Sequence, residues 1–366
     1  MTNAVALAQG ASNNVTFRNK IINGAMVIDQ RNAGASVTGV EGVYTLDRFQ
    51  SRASQTSKYT VQQNAGSITP PTGFANYLGI TSSSAYTIVS GDYFFIAQPI
   101  EGYNCADLAW GTASASSATL SFWVRSSLTG TFGLCVRNGS GSNYFYPTTY
   151  TINSANTWEY KTILISAPTS TWSASTTNGS AIEVDFVLGM GSTRVGGTTN
   201  TWTTSSYFSP TTPTSVVGTN GATFYITGVQ LEAGTTASPF EYRQYGTELA
   251  LCQRYCVLFA KSTGGSQEMI GAGQAWGSTN YWCAVRMPVT MRSYPTMSAT
   301  TGASYWLWQS GGVSAYSTSI LDPGYYGSAY LGNLIYQTAV SGIAVGQGLI
   351  LSAASNGATL LYTAEL

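Results

Sequence analysis

The amino-acid sequence predicts an all-β protein, two β-sandwich domains joined by one short helix. Three observations carry this expectation. Apolar residues recur at every second position in a series of short runs, the period of a strand with one buried face. Gly, Asn and Ser punctuate the runs where turns are needed. A helical period of 3.6 residues surfaces once, two thirds of the way along the 366 residues.

"ATLSFWVRS" sets Leu120, Phe122 and Val124 on one face and Ser121, Trp123 and Arg125 on the other. "GTFGLCVRNGSG" repeats the pattern through Phe132, Leu134 and Val136, then stops at an Asn-Gly turn. "NTWEYKTILIS" and "GATFYITGVQLE" are further strand-like runs. "AIEVDFVLGMG" groups Ile182, Val184, Phe186 and Leu188 opposite Glu183 and Asp185, a pair expected on a solvated strand face. Such runs with little helical period argue an antiparallel sandwich. Beyond the helix the pattern resumes in "YWCAVRMPVTMR", "SYWLWQS", "NLIYQTAV", "GQGLILSA" and the terminal "LLYTAEL". No repeat of fixed period is found, which argues against a propeller or β-helix.

In "GVQLEAGTTASPFEYRQYGTELALCQRYC", Gly228 to Cys256, a strand loosens around Pro239 and gives way to the helix. Thr247 is the expected N-cap, and Glu248 puts negative charge in the first turn, where the helix dipole favours it. Leu249, Cys252 and Cys256 form one stripe, with Leu251 and Tyr255 beside it. A helix of about ten residues is too short to stand alone in water. It must pack on a domain or against copies of itself, which makes Leu249, Leu251 and Cys252 the candidate oligomer interface. The expected division is an arm over 1–18, a first β domain over 19–236, a linker and helix over 237–256, and a second β domain over 257–366.

The five cysteines, Cys105, Cys135, Cys252, Cys256 and Cys283, have no disulfide-scaffold spacing. Cys252 and Cys256, one helical turn apart, would hold their Cβ atoms about 5–6 Å apart. A disulfide wants about 3.8 Å, so they read as free thiols. Charged residues make up only 8% of the chain, and 15 basic residues offset 15 acidic ones. No basic stripe of the kind a nucleic-acid binder shows is visible. No run reaches the roughly 20 apolar residues of a membrane span, so neither nucleic acid nor membrane insertion is expected. The opening "MTNAVALAQGASNNVTF" lacks the basic and apolar regions of a signal peptide. Synthesis in a cytoplasm without general export is therefore expected. Solubility must rest on hydroxyl and amide groups, a surface that responds little to salt.

Histidine is absent, which removes His-based triads, His-ligated metals and the commonest general base. Glu183 and Asp185, about 7 Å apart on one strand face, match a spacing a glycosidase could use. Nothing in the sequence marks a cleft around them. "GMGSTRVGG" and "GAGQAW" each lack the third glycine of a phosphate-cradling loop. No catalytic residue, cofactor or metal is assigned, and the protein is expected not to be an enzyme. Aromatic side chains are a different matter, with 24 Tyr and 9 Trp. Trp306 and Trp308 share one strand face, so both are core or both are displayed; core packing leads. Tyr325, Tyr326 and Tyr330 sit in the turn-rich "DPGYYGSAY", where burial is harder and display leads. These five are the candidate ligand contacts, and Trp202 and Tyr207 pose the same question in the first domain.

"FRNKIINGAMVIDQRNAG" followed by "YTLDRFQ" resembles the opening of a family of bacteriophage structural proteins found in phages of aquatic bacteria. "ITGVQLEAGTTASPFEYRQYGTELALCQRYC" is similar to the segment that closes their first domain, and "VRMPVTMRSYPTMSAT" to the opening of their C-terminal domain. The final "AEL" fits as well. The resemblance implies a first domain like the jelly-roll of carbohydrate-binding modules. It also implies a virion protein made in the host cytoplasm, trimeric, joined to other virion proteins through its N-terminal arm and touching a host surface glycan. Jelly-rolls of that kind often hold a structural calcium, and Asn23, Asp29 and Asp47 lie in the matching region. Ala25 stands where a carboxylate would be wanted, and Asp47 could equally pair with Arg48. Two other readings stay open: a purely architectural virion component without a ligand, and a carbohydrate-binding module of a secreted enzyme.

Overall fold

The computed structural model describes residues 17–140, 143–261, 267–302, 304–317, 320, 328–329, 334–337, 342–355 and 357–366. The chain divides into two compact units, Met1–Tyr245 with Leu366, and Gly246–Glu365. The first holds β1 (Val37–Thr38), β2 (Val43–Leu46), β3 (Phe49–Ala53), β4 (Tyr59–Gln63), β5 (Leu78–Ser82) and β6 (Tyr93–Glu101). It continues with β7 (Ala118–Ser126), β8 (Gly130–Asn138), β9 (Phe145–Ile152), β10 (Glu159–Ile165), β11 (Ser180–Met190) and β12 (Thr223–Ala233). Two six-stranded antiparallel sheets result, a first in the order β1-β4-β5-β12-β7-β10 and a second in the order β2-β3-β6-β11-β8-β9. The chain crosses repeatedly from one sheet to the other, the winding of a jelly-roll.

Alternation explains why the sheets face each other. Leu120, Phe122 and Val124 from β7 meet Phe132, Leu134, Ile182, Val184 and Phe186 from the second sheet, all buried. The rings of Phe122 and Phe186 pack edge-on at 5.1 Å. Each such side chain contributes about 1.5–3 kcal/mol on leaving water.

The N-terminal stretch completes the first sheet. β5 pairs with β12 only from Thr223 to Ile226. Past that point residues 19–24 take over: the Lys20 N–H donates to the Leu231 carbonyl at 2.8 Å, and the Val229 N–H to the Gly24 carbonyl at 3.0 Å. A side chain at Gly24 would place its Cβ 2.2 Å from the Val229 oxygen, so the close approach requires glycine. Arg18 is anchored too, its Nη2 donating to the Pro239 carbonyl at 2.6 Å. The arm expected over 1–18 therefore cedes Arg18 to the domain, and residues 1–16 lie outside the described residues.

The second unit opens with helix α1 (Tyr245–Gln253), whose first residue belongs to the first unit, and continues, among the described residues, through nine strands. These are β13 (Cys256–Lys261), β14 (Glu268–Ala275), β15 (Tyr281–Ala284), β16 (Thr296–Ala299), β17 (Trp306–Ser310), β18 (Val313–Ser317), β19 (Leu334–Gln337), β20 (Gly348–Ala353) and β21 (Thr359–Thr363). A three-stranded sheet, β13-β21-β16, and a six-stranded sheet, β18-β17-β20-β14-β15-β19, are antiparallel throughout. Tyr281, Trp306, Trp308, Leu351, Leu360 and Tyr362 fill its core.

The helix differs from expectation at both ends. It starts at Tyr245, so Thr247 lies inside the first turn and is not the N-cap. It stops at Gln253, and Cys256 begins β13, so Cys252 and Cys256 do not share a helical stripe. The cause is tertiary: the Ala364 N–H donates to the Tyr255 carbonyl at 2.7 Å, and the Arg292 N–H to the Arg254 carbonyl at 2.8 Å. These partners pull the chain into the sheet. All five cysteines are buried and none is in a disulfide, and burial pushes the Cys105 and Cys283 thiols up to about 12.

Candidate functional site

The outer face of the first sheet carries an open groove of about 940 Å³. Its floor is a set of cross-strand rows. Trp123 on β7 stands opposite Tyr160 on β10, Ser121 opposite Thr162, and Thr119 opposite Leu164. The Trp123 and Tyr160 rings lie 5.4 Å apart, and Tyr160 remains 44% exposed. A second aromatic wall faces them. Phe74 contacts Phe240 at 5.1 Å and Tyr242 at 5.4 Å, and Phe240 contacts Tyr242 at 4.9 Å. Tyr242 is 58% exposed, its hydroxyl donating to the Gly73 carbonyl at 2.8 Å.

Gly228 makes the two walls compatible. The register between β12 and β7 shifts between Thr227 and Gln230, and Gly228 there adopts φ +61°. A Cβ at this position would lie 2.6 Å from Phe74 Cζ and 3.1 Å from Trp123 Cδ1. Glycine accepts the left-handed backbone and lets both rings close over it.

The wall formed by residues 235–242 is pinned by buried polar groups. Glu232 accepts from the Ser238 N–H at 2.8 Å and its hydroxyl at 2.5 Å, and Gln230 Oε1 accepts from the Glu241 N–H at 2.8 Å. Glu241 in turn accepts from the backbone N–H groups of Arg18 at 3.1 Å and Asn19 at 3.0 Å. Arg243 donates to the Ile21 carbonyl at 3.1 Å and to the Asn19 carbonyl. Residues 237–243, assigned from sequence to a linker, are thus part of the first unit.

The outer face of the second sheet is covered instead. The chain after β11 folds back over it. Phe208 packs on Phe95 at 5.0 Å and Phe145 at 5.4 Å, and bridges join Phe145 to Thr203 and Val195 to Ser209. Beneath this cover lie Glu183 and Asp185, both buried, which overturns the solvated face expected for them. Arg137 bridges the pair: its Nε donates to Asp185 Oδ2 at 2.9 Å and its Nη2 to Glu183. Asp185 Oδ1 has no hydrogen-bond partner. Burial pushes the Asp185 carboxyl up to about 8, against the pull of Arg137 and with a further push from Glu183. Burial likewise raises Cys135 well above its ordinary value.

Tyr325, Tyr326 and Tyr330 lie outside the described residues. Trp306 and Trp308 are fully buried, their indole N–H groups donating to the Thr300 carbonyl at 2.9 Å and the Ser317 hydroxyl at 3.1 Å. They are core, and are corrected as ligand contacts. Trp202 stacks on Tyr144 at 5.1 Å and donates to the Ser166 carbonyl, half-buried. Cys252 is already buried within one chain, so it needs no second copy to cover it; Leu249 and Leu251 are half-buried. In the region considered for calcium, Asp29 accepts from the N–H groups of Asn32 and Gly34, and Asn23 bonds to the backbone of Ile28 and Asp47. Asp47 pairs with Arg31 at 3.3 Å, and Arg48 Nη2 donates to the Pro99 carbonyl. Among the described residues no cluster of three or more His, Cys, Asp or Glu is placed to hold a metal.

Sequence reasoning missed the groove, although it set Ser121 and Trp123 on the outward face. No protein-family model matches the chain, and no curated protein matches it. Among solved structures it is similar to the enzymatically active domain of tailspike protein 4 of bacteriophage CBA120, at 13% identity and a TM-score of 0.33. That alignment covers 59% of this chain and 22% of the other. It is similar to the family 11 carbohydrate-binding module of a cellulosomal cellulase of Clostridium thermocellum, at 10% identity and a TM-score of 0.27, covering 57% of this chain and 99% of that one. The N-terminal cellulose-binding domain of β-1,4-glucanase C of Cellulomonas fimi is a third, at 12% identity and a TM-score of 0.26, covering 50% of this chain and 91% of that one.

Proposed function

We propose that the first unit binds a carbohydrate in the groove of its first sheet, and that the chain is a bacteriophage appendage protein carrying this site to a bacterial surface glycan. The observation that supports binding is the pairing of two aromatic walls with a hydroxyl-bearing floor on an uncovered sheet face. A sugar ring presents C–H faces that pack on aromatic rings and hydroxyls that need hydrogen-bond partners. The groove offers both. None of its lining residues carries a carboxylate, amine or thiol, so the reading is binding and not turnover.

The virion reading rests on the motif resemblance of "FRNKIINGAMVIDQRNAG" and "ITGVQLEAGTTASPFEYRQYG". The clamp between Arg18, Asn19 and Glu241 gives those two stretches a shared physical task. An appendage of this kind would act as a homotrimer within the virion, where three weak sites gain avidity from their linkage. The test is adsorption of the labelled full chain to a panel of aquatic bacteria, compared with Trp123→Ala and Tyr160→Ser. Adsorption that falls in both folded variants supports the proposal. Adsorption that neither variant changes removes the groove from it. No adsorption to any cell favours the purely architectural virion component.

A further inference from the structure

We infer that the ligand of this groove is an uncharged polysaccharide segment, held by ring packing from two sides and by hydroxyl hydrogen bonds, with no ionic contact. This rests on the carbohydrate reading and narrows it to a chemical class. An acidic sugar would have to find a cation among the charged groups that border the groove.

Arg125 shares the outward face of β7 with Trp123, but its Nε donates to the Asn156 carbonyl at 2.8 Å and its guanidinium lies 5.5 Å from the Tyr225 ring centre. Lys161 neighbours Tyr160 and Thr162 in β10, yet strand alternation turns it to the opposite face, where it pairs with Glu159 at 2.7 Å. Arg18 and Arg243 are committed to the carbonyls of Pro239, Ile21 and Asn19, and Arg18 also lies 3.8 Å from the Glu232 carboxylate. Glu232 and Glu241 are enclosed in the same clamp. None of these residues lines the groove. A uronate or sialate carboxylate entering here would shed water without gaining a cation in exchange. A neutral hexose chain meets no such penalty. Its apolar faces fit between Trp123 with Tyr160 and Phe240 with Tyr242, and the exposed Thr162 supplies a hydroxyl below.

The experiment is affinity electrophoresis of the full chain through gels containing either a neutral glucan or galactan, or a polyuronate, at 50 and 500 mM salt. Retardation by a neutral polymer that changes less than about twofold with salt, and weakens about tenfold in Trp123→Ala and in Tyr160→Ser, is the expected result. The exposed Tyr160 guards against the chance that the half-buried Trp123 is needed for folding. Thr162→Lys, on the exposed floor, should add retardation by the polyuronate at 50 mM salt. Polyuronate binding by the unsubstituted chain that both aromatic variants abolish would overturn the uncharged class and leave the carbohydrate reading standing. Insensitivity of all polymer binding to both aromatic variants would overturn that reading as well.

Discussion

Glu241 and Asn19, 222 positions apart in the chain, are joined by a 3.0 Å hydrogen bond from the Asn19 backbone N–H to Oε2. The other oxygen of the same carboxylate takes the Arg18 N–H. One side chain therefore ties the end of the first unit to its beginning and holds the wall of the groove upright. Asn19 acts reciprocally: its Oδ1 accepts from the N–H groups of Ile21 and Leu231, and its Nδ2 donates to the Val229 carbonyl.

Glu241→Ala should destabilise the first unit by about 3 kcal/mol, because two backbone donors lose a charged acceptor. Denaturant unfolding followed by tryptophan fluorescence measures this. A loss below about 0.5 kcal/mol would show that the clamp is not needed for the fold.

Stability should fall as pH rises through the neutral range, and Asp185 should be one cause. Its folded carboxyl is raised, chiefly by burial, to about 8, with Arg137, Glu183, Cys135 and Arg52 as the charged or titratable groups that face it. A raised value means the folded state holds the proton more tightly than the unfolded chain. The stabilising contribution is therefore full below about pH 4 and is lost as pH climbs to about 8. Asp185→Asn removes that titration while keeping the shape. Its unfolding midpoint should decline less between pH 5 and 9 than that of the unsubstituted chain; parallel declines would refute the assignment.

Much of the sandwich was legible because apolar alternation sets which face is buried. Leu120, Phe122 and Val124 read correctly for that reason. β3 was not read, since its inward Ser51 is polar and is satisfied by the Tyr59 hydroxyl at 2.7 Å. β6 hides its period differently: Phe95 faces outward yet is buried under Phe208, so both faces look apolar. The same cover explains Glu183 and Asp185, whose alternation was right and whose solvation was not. The groove needed Phe240 and Tyr242, more than a hundred residues beyond Trp123, to return over the same sheet. No local pattern carries that.

Gly228→Ala should abolish ligand binding while the sandwich persists. The new methyl would meet Phe74 at 2.6 Å in a backbone at φ +61°, costing about 1–3 kcal/mol and pushing the Phe74 wall off Trp123. Near-ultraviolet circular dichroism and polymer binding measured together separate the outcomes. Binding retained at full strength would mean that Phe74 and Trp123 do not need to approach each other there.

The homotrimer, expected from the resembled phage family, makes a testable demand on helix α1. Cys252 is buried within its own chain, which leaves Leu249 and Leu251 as the two half-buried apolar residues of the proposed interface. They are two positions apart, so on a helix of 3.6 residues per turn they point about 200° from each other. A three-fold seam has one face per helix and can take only one of them. Leu249→Gln and Leu251→Gln should therefore act unequally, one dissociating the oligomer and the other costing a modest amount of stability within the chain. Light scattering at micromolar concentration reads the mass directly. Equal effects would place the contact elsewhere than this helix, and a monomer in the unsubstituted chain would end the trimer expectation.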